Sequence, residues 1–174
     1  MFRIIKNSKV YRELEKYIEL YYKPDEKYIF ISPNADAQEI TKNSGKQFEQ
    51  QKQDLAVLVE EAGETFCEML FRIIKEKGVK ESEVYKNACI DRKLFSKIRN
   101  NPAYHPKKTT VLALSIALKL DIENTIEFLE SAGYALSSGE KSDIIIGYFI
   151  EKKIFELDTI NSALYEFGEK TIGV

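Results

Sequence analysis

The sequence predicts an all-α protein: a helix-turn-helix domain preceded by an N-terminal helical arm and followed by a C-terminal helical extension. Three observations lead there. Apolar residues recur at helical spacing through most of the 174 residues. Two short helical stretches meet at a turn of a few residues near position 90. The one segment that alternates like a strand, "KYIFIS" at 27–32, has no partner strand and reads as an extended arm.

Taken in order, residues 1–22 read as a short extended start and a helix with Val10, Leu14, Tyr17, Ile18 and Tyr21 on one stripe, stopped by Pro24. "SPNADAQEITKNSG" after the arm is loop-like. From Lys46 to Lys77 the apolar spacing predicts one long helix or two in line, with Gly63 a break and Gly78 a C-terminal stop. These features divide the chain into residues 1–63, an arm suited to dimerisation or partner binding, and residues 64–174, the helix-turn-helix domain with its C-terminal helices. The helices of the second part fall at about 80–88, 91–100, 107–119, 122–132, 140–153 and 158–167. Asp91 and Asp158 are expected N-caps, and Gly133 suits a helix end because it tolerates the left-handed conformation. "VLALSIALKL" at 111–120 is apolar nearly all round, as a central helix is. "DIIIGYFIEKKI" also suits a strand, but its length and the lack of a second β segment favour helix. "SSGE" at 137–140 reads as the turn that caps this helix.

Composition narrows the function. With 44% hydrophobic and 31% charged residues the chain can bury a core. The apolar runs are too short for a bilayer span and the N-terminus becomes charged too early for a secretory signal, so a cytoplasmic protein without membrane attachment is expected. Cys67 and Cys89 form neither a disulfide framework nor a metal-ligand spacing, and both read as small buried hydrophobes. His105 is the only histidine, best read as a loop residue before Pro106, and no Gly-rich phosphate loop is present. No nucleophile and base are assembled, so no enzyme is expected, and no cofactor is implied.

The net charge of -2 conceals an asymmetry. Between Val79 and Lys108 eight cations face three anions, which leaves this part at +5 and the remainder at -7. A local cationic face on an acidic body attracts a polyanion there while the rest repels it. Within it, "VKESEVYKNACIDRKLFSKIRNN" sets Val84, Ala88, Ile90, Phe95 and Ile98 where a core demands apolar residues, and Arg92, Lys93, Ser96 and Lys97 on the opposite face. A second helix that buries one face and projects its first residues outward is what major-groove reading requires.

This stretch resembles the lambda-repressor/Cro-like, or XRE-type, helix-turn-helix family. The family's Ala-Gly-Val-Ser turn is similar to Ala88-Cys89-Ile90-Asp91, and its Ile-Ser-Arg-Ile recognition core to Phe95-Ser96-Lys97-Ile98. "HPKKTTVLALSIALKLDIENTIEFLESAGYAL" is similar to the family's fourth and fifth helices, so the resemblance spans roughly residues 64–136. The extension resembles a C-terminal module of bacterial proteins of poorly defined function. Three residues depart from the family pattern: Tyr85 stands for Ala, Cys89 for the turn Gly, and Glu81 for a Gln at the start of the first helix.

The resemblance implies a bacterial or phage DNA-binding transcriptional regulator that reads double-stranded DNA through the helix 91–100. Arg92 and Lys93 would then read bases, with Ser96 and Lys97 one turn on, and Lys107 and Lys108 would contact phosphates. A homodimer is a candidate assembly. The alternative is a protein-interaction module on the same scaffold, recognising an acidic protein partner, with phage defence or counter-defence as its setting.

Overall fold

The computed structural model describes residues 9–24 and 64–173, and these residues hold eight α-helices. They are α1 (Lys9–Tyr21), α2 (Phe66–Glu76), α3 (Glu81–Asn87), α4 (Arg92–Asn100), α5 (Lys108–Ala117), α6 (Ile122–Ser131), α7 (Lys141–Glu151) and α8 (Leu157–Glu166). The described part of the chain is all-α. The expected arm at 27–32 and the helix before Gly63 lie outside the described residues. No helix among the described residues is long and apolar enough to cross a membrane.

Two helices form the centre because their sequences leave them no polar face. In α5 every residue from Thr110 to Ile116 is buried, and in α7 every residue from Asp143 to Ile150. The remaining helices lay one apolar stripe each against this pair or its neighbours: α3, α6 and α8 contact α5, α2 contacts α6, and α1 contacts α7. Residues 143–151 of "DIIIGYFIEKKI" are helical, since a segment covered on all sides over 143–150 satisfies its backbone groups internally as a helix.

The helix ends follow from particular residues. Thr65 and Glu68 form a capping box: Glu68 N–H donates to Thr65 Oγ1, and Thr65 N–H donates to Glu68 Oε2 at 2.9 Å. This starts α2 at Phe66. Gly78 (φ +62) and Gly133 (φ +71) take the left-handed conformation after α2 and α6, as expected. Asp91 caps α4, but the expected cap at Asp158 is displaced to Glu156. Leu157 is buried and must join the helix to reach the core, which leaves Asp158 exposed in the first turn, where its charge suits the helix dipole.

Helix α1 shares the core of the later helices. Tyr11, Leu14 and Ile18 are buried, Tyr11 stacks on Phe167 at 5.1 Å, and Tyr17 meets Tyr148 edge-on at 5.2 Å. The buried stripe is turned slightly from the expected one: Tyr11 belongs to it, whereas Tyr21 is exposed. The Tyr148 hydroxyl donates to Glu13 at 3.3 Å, and burial beside that carboxylate pushes the phenol up to about 12.

Candidate nucleic-acid interface

Helices α3 and α4 are joined by Ala88, Cys89, Ile90 and Asp91. Ala88 is the C-cap of α3, and the turn closes with Cys89 N–H donating to Lys86 O at 3.0 Å and Ile90 N–H to Tyr85 O at 2.9 Å. This is the two-bond pattern of a helix end whose next residue is left-handed. Cys89 is that residue, with φ 51. It holds this conformation without being glycine, at a local cost of about 1–2 kcal/mol that the two bonds and the burial of Ala88 and Ile90 offset. Asp91 is extended, its Oδ1 accepts from Lys93 N–H at 3.1 Å, and α4 begins.

Helix α4 buries Phe95 and Ile98 and half-buries Leu94. Its other face carries Arg92, Lys93, Ser96 and Lys97, all exposed. The sequence pattern places these four on one accessible surface. None of the ion pairs among the described residues involves Arg92, Lys93 or Lys97. Lys97 is steered, however, by an aromatic ring: its Nζ lies 4.9 Å from the centre of Tyr104. Tyr104 is a site residue that sequence reasoning missed, because the loop it occupies carries no periodic signal.

The three departures from the family pattern each have a place in the packing. Tyr85 is half-buried with its ring 5.6 Å from that of Phe95, so it covers α4 instead of leaving the small-residue gap that Ala would. Cys89 takes a left-handed backbone conformation of the kind that glycine adopts freely. Glu81 forms an ion pair with Arg99, whose guanidinium also lies 5.5 Å from the Phe71 ring. The carboxylate at the start of α3 is thereby accompanied by a cation from α4.

Lys107 and Lys108 separate. Lys107 is the N-cap of α5, exposed, without an ion pair among the described residues. Lys108 turns inward: its Nζ donates to Asp143 Oδ2 at 2.5 Å, and the same oxygen accepts from Ser137 N–H at 2.8 Å. Asp143 came from the apolar-looking α7 segment, and only its charge amid isoleucines hinted at a partner. Thr109, next in α5, is exposed. His105 sits beside Tyr134, whose hydroxyl donates to Pro106 O at 3.0 Å and lies 3.4 Å from His105 Nδ1, an arrangement that shapes the loop before α5.

Comparison of the chain with protein-family models, curated proteins and solved structures finds no match.

Proposed function

We propose that the protein is a DNA-binding transcriptional regulator of the lambda-repressor-like helix-turn-helix type, which lays α4 in the major groove. Arg92 and Lys93 read base edges at the start of the helix, and Ser96 and Lys97 follow one turn on. Arginine matches two guanine acceptors at once, so Arg92 carries most of the sequence preference. Lys107 contacts backbone phosphate and sets register. Lys108 serves this surface indirectly, by anchoring the start of α5 to Asp143.

One observation carries the reading. A capped helix with a buried apolar face holds three cations and a hydroxyl on its exposed face, two of the cations in its first turn. Cations at the positive end of a helix dipole are unfavourable by themselves, and an external polyanion removes that penalty.

A selection from a random duplex pool at two salt concentrations tests the proposal. Enrichment of one motif at both concentrations is the expected result, and its palindromy reports whether two copies bind. Loss of all duplex binding at moderate salt, together with a stable complex with an acidic protein, would replace this reading with the interaction-module one.

A further inference from the structure

The segment that follows α8 returns to the turn between α3 and α4. One side chain guides it. Ile172 N–H donates to Asn161 Oδ1 at 2.9 Å, and Asn161 Nδ2 donates to Ile172 O at 3.0 Å. Asn161 thus holds both backbone groups of a buried residue, as a neighbouring strand would, and fixes the direction in which the chain leaves.

The next residue, Gly173, meets the turn itself. Its φ is +80, which only glycine adopts freely. A Cβ built on it would overlap Ala88 O and would lie 3.3 Å from Ala88 C and 2.9 Å from Leu157 Cδ2. Two of these three neighbours are backbone atoms, which cannot rotate away. Glycine is therefore required here for close approach as well as for conformation.

What Gly173 touches is the C-cap of α3, three residues before the cap of α4. The next residue, Cys89, is left-handed and gains from any relaxation the surroundings allow. Helix α4 has nine residues and two buried side chains, Phe95 and Ile98, and none among its first three residues. The direction of its first turn, where Arg92 and Lys93 stand, depends on the turn that precedes it together with the packing of Phe95 on Tyr85 and Phe71.

We propose that Ile172–Gly173 is a strut that holds this turn, and through it the aim of Arg92 and Lys93. Asn161, on α8, and Gly173, in the segment after it, are positioning residues for nucleic-acid binding that lie outside the helix-turn-helix unit. The functional half of this inference rests on the reading given under Proposed function. The mechanical half stands on the contact alone.

The test compares Asn161→Ala, Gly173→Ala and Arg92→Ala with the native chain. Asn161→Ala releases the strut without introducing bulk, and so remains informative if Gly173→Ala folds poorly. Three quantities are measured: amide hydrogen exchange, the urea midpoint, and affinity for the duplex enriched in the selection as a function of salt. Both strut variants should speed exchange selectively in residues 89–95. They should also weaken duplex binding about tenfold, the loss of roughly one base contact, with an unchanged salt slope because the phosphate contacts remain. Arg92→Ala should lower affinity and leave exchange at 89–95 unchanged.

Native-like exchange at 89–95 in both strut variants overturns the inference. So does faster exchange spread evenly over the whole core, which marks a merely structural role, or faster local exchange with unaltered affinity. Absence of duplex binding by the native protein overturns the regulator reading and the functional half together, while the exchange data still decide whether the strut holds the turn.

Discussion

Lys108 Nζ lies 2.5 Å from Asp143 Oδ2, and this pair joins the start of α5 to the buried interior of α7. The Asp143 side chain is 3% exposed and that of Lys108 27%, so the two partners differ in what they lose if separated. Removing the lysine leaves a carboxylate in the core without a countercharge. Lys108→Met should therefore destabilise the protein by about 3–5 kcal/mol. Asp143→Asn should cost less, because the amide oxygen still accepts from Ser137 N–H and the freed ammonium reaches water. Urea denaturation at neutral pH orders the two variants, and the reverse order would contradict the assignment.

The same carboxyl makes stability depend on pH. Burial raises Asp143 above its ordinary value of 3.8, and the bonds from Lys108 and Ser137 N–H pull it back only in part. The folded chain holds this proton more tightly than the unfolded chain. Its contribution is then fully present below 3.8 and is lost as pH rises through the folded value. Urea midpoints of the native protein should fall relative to those of Asp143→Asn across that window, whereas a gap that is constant with pH would exclude it.

Arg92 and Lys107 are expected to fail differently. Arg92→Ala should cost about 1–3 kcal/mol on the preferred duplex and relax specificity at the bases it reads. Lys107→Ala should weaken binding to all duplexes alike and reduce the slope of log K against log salt by about 0.9. Titrations on the preferred and a scrambled duplex at several salt concentrations separate the two behaviours.

Cys89 is left-handed, so its replacements rank by backbone preference rather than by polarity. Cys89→Gly should stabilise by up to about 1 kcal/mol, since the relief of the left-handed cost exceeds the added entropy of the unfolded chain. Cys89→Val should destabilise by more than that, because a β-branched residue resists positive φ most. Thermal or urea unfolding of both variants gives the sign directly.

The two thiols should react at different rates. Cys67 is buried and donates to Ile98 O at 3.4 Å, and burial, with Glu68 nearby, raises its thiol above the ordinary value. Cys89 is exposed. A thiol reagent at neutral pH should label Cys89 quickly and Cys67 only on unfolding, since the thiolate is the reacting form. Mass spectrometry of the labelled peptides identifies which sulfur reacted first.

Much of the architecture is written locally. The all-α class of the described residues, the C-terminal stops at Gly78 and Gly133, the cap at Asp91 and the largely apolar helices α5 and α7 all follow from spacing and single-residue preferences. The exposure of Arg92, Lys93, Ser96 and Lys97 follows too, because burying Phe95 and Ile98 on a 3.6-residue period turns those four outward. Asp158 marks where local preference loses: an aspartate is a good cap, but the burial of Leu157 moved the helix start two residues earlier.

Only the tertiary structure decided what each charge and each connecting segment would meet. Lys107 and Lys108 are adjacent and chemically identical, yet one faces outward and the other enters an ion pair with a residue 35 positions away. Glu81 with Arg99, Lys97 with Tyr104 and Gly173 with Ala88 are likewise meetings across elements. Periodicity specifies which face of a helix is buried, because that depends on neighbours three and four residues away. It does not specify the partner on that face, because the partner is set by how whole helices pack.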